Sequence, residues 1–167
     1  MIFNLRAGRR VAVAAFVAVL SGCAFNPLYS VTPGLSRDEV VARMGTPRAV
    51  VPLNKGTRLQ YSLQPAGRYA YMVDLDQSGR VLSIRQVLNS QDFARIELGK
   101  WTKQDVLREF GPPSSVDHVA SWKGDILTYK WFDVQNMFYW VYLDRNGVVQ
   151  RAHPGMEEDF FLPDNVP

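Results

Sequence analysis

The chain has 167 residues, with 19 basic and 16 acidic side chains and 47% hydrophobic residues. Three arginines and no acid fall within residues 1–22, so the rest of the chain carries sixteen charges of each sign. This neutral remainder lacks the overall charge that is typical of nucleic-acid binding, and its apolar content argues against a disordered polypeptide.

The N-terminus has the three parts of a secretory signal peptide. Arg6, Arg9 and Arg10 precede an apolar run over residues 11–20, and Ser21 and Gly22 supply the small residues of a cleavage site. The run is shorter than the roughly 20 apolar residues that a membrane-spanning helix needs. We therefore predict a signal peptide over residues 1–22.

The only cysteine of the chain, Cys23, directly follows that cleavage site. Residues 20–23, Leu-Ser-Gly-Cys, resemble the bacterial lipobox. The resemblance implies that Cys23 becomes the first residue of the mature chain and carries a covalent diacylglyceryl group and an N-acyl lipid; we expect no other cofactor. The alternative is a buried free thiol.

The residue after Cys23 bears on the location of the protein. Ala24 is not the aspartate that, by the enterobacterial sorting rule, retains lipoproteins in the inner membrane. We therefore expect a lipid anchor in the outer membrane with the chain on the periplasmic side. Residues 23–33 would form a tether between the lipid and the folded part.

Two segments of the chain resemble each other. Residues 34–51, GLSRDEVVARMGTPRAVV, match residues 99–116, GKWTKQDVLREFGPPSSV, and the match continues with an offset of 68 residues. This periodicity indicates one unit used twice. We assign residues 34–88 to a first repeat, residues 89–153 to a connector and a second repeat, and residues 154–167 to an acidic and aromatic tail.

Each repeat begins with the signals of a short helix. Ser36 and Thr102 are each followed three residues later by an acid, as in a capping box. Gly45 and Gly111, with prolines at Pro47 and at Pro112 and Pro113 shortly after them, predict left-handed caps at the helix ends.

Beyond each helix, apolar residues alternate with a period of two, and Ser78-Gly79 and Asn146-Gly147 indicate tight hairpin turns. The predicted fold class is α+β. It has two tandem repeats, each a short helix or helix pair packed on a three- to four-stranded antiparallel sheet.

These residues resemble the SmpA/OmlA domain, the family of the lipoprotein BamE in the outer-membrane β-barrel assembly machinery. The shared pattern comprises the capped helix start, the Gly-x-Pro step, a strand centred on Tyr61 or Tyr129, and a hairpin of the form Asp-x-x-Gly-x-Val. The resemblance covers residues 34–84 and 99–152 and implies a fold rather than a partner. The duplicated unit is also similar to β-lactamase inhibitor proteins, whose two copies jointly form a concave sheet that grips another protein.

Few residues of the chain are suited to catalysis or metal binding. His118 and His153 are the only histidines, and no metal-ligand spacing is present. His118 follows Asp117, but neighbours on a strand point to opposite faces. His153 is interpreted as an exposed turn residue after the last strand. We therefore expect neither an enzyme nor a metal site.

The central strands of the two repeats differ on one face. Odd-numbered positions are apolar in both repeats, which predicts that the helices cover them. At even-numbered positions the first repeat has the residues of a solvated face, namely Gln60, Ser62, Ala70, Met72 and Asp74. The second repeat instead has large aromatic residues. Its candidate binding surface, hereafter the aromatic face, comprises Lys130, Phe132, Phe138, Trp140 and Tyr142.

An exposed aromatic surface typically marks a contact with a partner. Two internal alternatives stay open, since the tail residues 160–162 or the other repeat could cover these rings. We expect a lipid-anchored periplasmic binding or scaffold module with a protein partner in the envelope, which supports outer-membrane protein assembly or envelope integrity. The alternative is a proteinaceous inhibitor of an envelope or secreted hydrolase.

Overall fold

A computed structural model describes residues 27–157. The predicted signal peptide, Cys23 and residues 158–167 of the predicted tail lie outside this range. The described part is an α+β fold with two four-stranded antiparallel sheets and a few short helices. At this level the predicted fold class is confirmed.

The first half of the described chain, residues 27–88, contains the first sheet. Its elements are α1 (Pro27–Ser30), α2 (Arg37–Met44), β1 (Ala49–Leu53), β2 (Gly56–Ser62), β3 (Ala70–Leu75) and β4 (Val81–Gln86). The second half, residues 89–157, contains the second sheet. Its elements are α3 (Ser90–Phe93), α4 (Lys103–Phe110), β5 (Ser115–Asp117), β6 (Ile126–Phe132), β7 (Asn136–Leu143) and β8 (Val149–Met156).

Each sheet is a meander in which every strand pairs with the next one along the chain. The predicted hairpin turns connect β3 to β4 and β7 to β8, and Gly79 and Gly147 have positive φ angles of 79° and 76° there. In both turns an aspartate carboxylate, of Asp76 or Asp144, accepts two backbone N–H groups of the turn. These bonds hold the turns and so help to fix the register of the strands.

Both predicted capping boxes are present at the starts of α2 and α4. The Ser36 N–H donates to the Glu39 carboxylate at 2.8 Å, and the Thr102 N–H donates to Asp105 at the same distance. These backbone hydrogen bonds lower the pKa of both carboxyls, because they favour the charged form. Each helix begins where the sequence predicted and runs for eight residues.

The glycines that end the two helices share one backbone conformation. Gly45 and Gly111 both have φ 77° and ψ −168°. The prediction of a left-handed cap is right in the sign of φ and wrong in ψ, which is extended instead of helical. This combination of angles is essentially restricted to glycine.

The inner face of the first sheet packs on α2, as the alternation predicted. Val40 of α2 is fully buried against Leu59, Val73 and Leu75 of the sheet. The Tyr61 hydroxyl donates to the carbonyl oxygen of Gly45 at 3.1 Å, which ties the sheet to the end of the helix.

Two residues predicted to lie under a helix do not. Leu63 and Tyr69 are 51% and 42% exposed. The reason is that β2 ends at Ser62 and β3 begins at Ala70, so both residues belong to the connecting turn rather than to the covered part of the sheet.

The inner face of the second sheet packs on α3 and α4. Phe93, from the segment that the sequence assigned to a connector, stacks on Tyr139 with ring centroids 3.9 Å apart. Phe110 of α4 packs against Phe93 and Tyr129. The Tyr129 hydroxyl donates to the carbonyl of Gly111 at 2.9 Å, and burial raises its pKa. The connector therefore contributes a core residue.

The outer face of the first sheet is buried, and the prediction of a solvated face is wrong. Gln60, Ser62, Ala70 and Met72 are all 7% exposed or less, and Asp74 is half-buried. Helix α4 of the second half lies on this face, so that Ala70 and Met72 belong to the same buried cluster as Phe110 and the second sheet. Helix α4 therefore lies between the two sheets.

The polar residues of this buried face bind the C-terminal end of α4. The Gln60 side-chain amide donates to the carbonyls of Leu107 and Arg108 at 2.9 and 3.0 Å. Arg58 donates to the Arg108 carbonyl at 3.1 Å and pairs with Asp74 at 2.6 Å. Carbonyls in the last turn of a helix lack partners within the helix. The polar residues thus supply caps to a helix of the other half.

A second contact between the halves closes an edge of the second sheet. The Gln64 side chain is 2% exposed and bonds both backbone polar groups of Lys130, donating to its carbonyl at 2.6 Å and accepting its N–H at 3.2 Å. Strand β5 pairs with β6 only as far as Thr128. Gln64 therefore takes the place of the missing strand.

The two cap glycines offer a matched test of the fold, because they share φ and ψ but not their surroundings. A Cβ at position 45 would meet nothing within 4 Å, whereas one at position 111 would lie 3.4 Å from Met72 and 3.7 Å from Gln60. We expect Gly45→Val to cost about 1–3 kcal/mol through backbone strain alone. Gly111→Val should cost more, because the side chain also separates the halves. Equal losses in a urea unfolding experiment would contradict the interface described above.

Candidate functional site

The aromatic face lies on the side of the second sheet that points away from α4. In the register, Lys130 pairs with Phe138, and Thr128 pairs with Trp140. Paired residues of antiparallel strands project to the same side, so Lys130, Phe132, Phe138, Trp140 and Tyr142 share one surface. The structure thus brings together all five residues that the sequence predicted for this face.

The face is partly open. Phe132 is 49% exposed, and the other four residues are half-buried. Among the described residues, the ring contacts of Phe138, Trp140 and Tyr142 are with one another, Trp122 and His153. None of these contacts comes from residues 27–88. The rings thus make no ring contact with the first half, and the tail residues 160–162 lie outside the described range.

Strand β8 adds residues to this face that the sequence analysis did not place there. It extends through Met156, and the register pairs Arg151 with Tyr142, His153 with Trp140, and Gly155 with Phe138. The interpretation of His153 as a turn residue is wrong. Its ring lies 5.5 Å from Tyr142 in a stacked arrangement and 5.4 Å from Trp140.

The signal that could have revealed this extension was the same alternation that defined the other strands. Arg151, His153 and Gly155 follow at intervals of two, but Pro154 breaks a strand pattern. Proline is tolerated here because β8 is an edge strand of the sheet, and no ladder on its outer side needs the missing N–H.

The outer edge of the Trp140 ring lies against β8 at Gly155. A Cβ at Gly155 would fall 2.2 Å from Cζ3 of Trp140 and 2.6 Å from Cη2. Real Cβ atoms do not approach so closely, so the ring position depends on glycine at 155. The edge of the indole is thereby set against the strand.

At the other end of the face, Arg151 is held by aromatic rings. Its guanidinium lies 3.9 Å from the Tyr142 centroid and 5.8 Å from that of Trp122. Trp122 meets Tyr142 edge to face at 5.2 Å, and its indole N–H donates to the Leu143 carbonyl at 2.7 Å. Within residues 27–157, Arg151 forms no ion pair.

A cavity of about 510 Å³ opens beside this cluster. Its lining includes Asp117, Ser121, Trp122, Trp140, Tyr142 and Arg151. The Asp117 carboxylate accepts the hydroxyls of Ser115 at 2.8 Å and Thr128 at 2.9 Å through the same oxygen, Oδ2. The cavity therefore combines aromatic walls with a carboxylate and a guanidinium that are not paired with each other.

The other predicted chemistry-bearing residues lie apart from this cavity or outside the described range. His118 is exposed and contacts Asp125 at 2.7 Å rather than Asp117. The hydrogen bond from Lys103 and that with His118 lower the pKa of Asp125. No group of three metal-binding side chains occurs within residues 27–157. Over the same range, no helix is both long and apolar enough to cross a membrane.

Comparison with known proteins gives one distant structural similarity. No protein-family model and no curated protein matches the chain. Among solved structures, the chain is similar to the crystal structure of a DUF4309 family protein, YjgB, from Bacillus subtilis. The similarity covers 73% of this chain and 78% of that one, with 16% sequence identity and a TM-score of 0.30.

The contact between Trp140 and Gly155 yields a local test. We expect Gly155→Val to push the indole off the strand and to change the chemical shift of the Trp140 indole N–H in a two-dimensional NMR spectrum. Pro154→Ala, on the neighbouring residue, is the control and should leave that signal in place. An unmoved Trp140 signal in Gly155→Val would contradict the close contact between the ring and Gly155.

Proposed function

We propose that this protein is a non-enzymatic, lipid-anchored binding module on the periplasmic side of the bacterial outer membrane. The observation that carries the proposal is the aromatic face, a partly open surface with three large rings side by side on the second sheet. Its partner would be a protein of the envelope, and the role would be to support outer-membrane protein assembly or envelope integrity.

We also propose that the two halves are tandem copies of one SmpA/OmlA-like unit. In support, both halves begin with a capping box, end the helix at a glycine with φ 77° and ψ −168°, and tie that glycine to a tyrosine of the sheet. Both continue with a four-stranded meander. Shared propensities alone would not repeat these contacts at an almost constant offset of 66 to 68 residues.

The tandem arrangement gives the aromatic face a particular position. With an offset of 68 residues, Ala70 corresponds to Phe138 and Met72 corresponds to Trp140. Ala70 and Met72 form the surface on which the first sheet receives α4. The aromatic face is thus the equivalent docking surface of the second sheet, and no third helix of the described chain follows to occupy it. We infer that a partner does so.

The proposed inhibitor function is less well supported. In that function, both sheets would contribute to a joint concave surface, but the outer face of the first sheet is already filled by α4. The scaffold function needs only the face of the second sheet. A direct test of the two is co-purification from gently solubilised envelopes, in which barrel-assembly components would support the scaffold and a single soluble hydrolase would support the inhibitor.

The anchor is tested at Cys23. Because its thiol would be the acyl acceptor and the chain has no second cysteine, we expect Cys23→Ser to leave an unlipidated precursor. Stable anchoring needs more than one acyl chain, each buried CH₂ contributing about 0.8 kcal/mol. Ser21→Thr, a conservative change beside the cleavage site, serves as the control. Firm membrane fractionation and unchanged mobility of Cys23→Ser would contradict lipidation.

The binding face is tested by the double substitution Trp140→Ala and Tyr142→Ala. Because both rings are half-buried on the outer side, we expect partner retention to be lost while the melting temperature falls only modestly. Trp131→Ala is the matched control, since Trp131 lies on the opposite side of the same sheet and is 3% exposed. It should cost about 3–5 kcal/mol. If the double mutant lost as much stability as Trp131→Ala, the face would be internal.

A further inference from the structure

We propose that the cavity beside Arg151 binds a saccharide ring of an envelope glycan. This inference rests on the proposed function only in requiring that the aromatic face be open to the periplasm. It concerns the cavity at the end of the face near β5, whereas the protein partner proposed above would contact the face as a whole, Trp140 and Tyr142 included.

The first argument is the shape and size of the site. A cavity of about 510 Å³ falls in the range of small-molecule sites, which are typically about 300–1,000 Å³ and mostly apolar with a few polar groups. It lies between the loop that carries Trp122 and the sheet surface with Trp140 and Tyr142. A ligand in it would therefore contact aromatic side chains from two directions.

The second argument is the aromatic lining of the cavity. Trp122, Trp140 and Tyr142 all line it. The face of an aromatic ring carries negative charge density and attracts the positive edges of C–H groups. One face of a hexopyranose presents such C–H groups, so a sugar ring can stack where a purely polar ligand cannot.

The third argument is that the two charged side chains of the cavity, Asp117 and Arg151, do not pair with each other. Asp117 has one carboxylate oxygen without a hydrogen bond in the described residues, and Arg151 has its guanidinium without a carboxylate there. A free anion would be attracted to Arg151 but repelled by Asp117. Sugar hydroxyls both donate and accept. A neutral saccharide can therefore satisfy both side chains at once, with Ser121 as a further polar partner.

The fourth argument is the way in which Arg151 is held. Its guanidinium is packed against Tyr142 and Trp122. Such packing restricts the side chain while leaving its N–H groups free to donate. A planar donor fixed beside a stacking platform is suited to bonding two neighbouring hydroxyls of a ring.

The test uses the mature lipidated protein in a detergent that lacks a sugar headgroup. Tri-N-acetylchitotriose, cellotriose and maltotriose are each titrated while the indole N–H signals of Trp122 and Trp140 are followed by NMR. We expect at least one trisaccharide to shift both signals in a saturable manner. Absence of any shift up to about 10 mM, the affinity range of very weak ligands, would overturn the proposal.

Variants then locate the site. Asp117→Asn and Arg151→Gln should each weaken binding of that trisaccharide about tenfold or more, because each removes charge-assisted hydrogen bonds. Arg145→Gln, in the exposed β7–β8 turn, is the control and should bind like the parent. Equal binding by all three variants would place the sugar elsewhere and overturn the proposal. So would a response of the two indole signals to acetate or phosphate and not to any trisaccharide.

A failure of this inference can be distinguished from a failure of the proposed function. If the Trp140 and Tyr142 double mutant keeps its stability and loses its partner while no sugar binds, only the saccharide site is wrong. If that double mutant loses as much stability as Trp131→Ala, the face is internal and both proposals fall.

Discussion

The C-terminal end of α4 is the point on which the rest of this structure depends. The helix lies between two sheets, and its final carbonyls would be buried without partners if the first sheet offered only apolar side chains. Gln60 and Arg58 supply donors to the carbonyls of Leu107 and Arg108. An unsatisfied buried carbonyl costs about 1–3 kcal/mol, so these bonds decide how the two halves can meet.

The charges around this helix end form a connected group. Arg58 pairs with Asp74 at 2.6 Å and Glu109 at 3.2 Å, and Arg95 adds a second cation to Glu109. Burial alone would raise the pKa of Glu109, but the two arginines lower it overall. A carboxyl whose pKa is lowered on folding stabilises the fold above its ordinary value, and that contribution is lost as the pH falls through the lowered value. The junction between the halves is therefore weakest in acid.

Much of the local structure could be predicted from the sequence because its causes are local. The capping boxes at Ser36 and Thr102, the glycines at 45 and 111, and the hairpin turns each depend on a few neighbouring residues. The faces of the sheets depend on what packs on them from elsewhere in the chain. Gln60 and Ser62 are polar, as solvated residues are, but they are buried because a helix end requires hydrogen-bond donors. Polarity alone does not distinguish a solvated face from a capping surface.

The aromatic face shows the opposite limit of sequence reasoning. Its five residues were correctly placed together, since alternation and register fix which side of a strand a residue occupies. Trp122 and Arg151 were not placed on it, because the first comes from a loop and the second from a strand that continues beyond a proline. The equivalent surface of the first sheet receives α4 through polar caps. At the equivalent positions the second sheet has aromatic rings, and these rings do not require hydrogen bonds with a helix end. The first surface therefore suits a helix end, and the chain uses it to hold itself together. Under the proposal above, the second surface serves a contact outside the described fold.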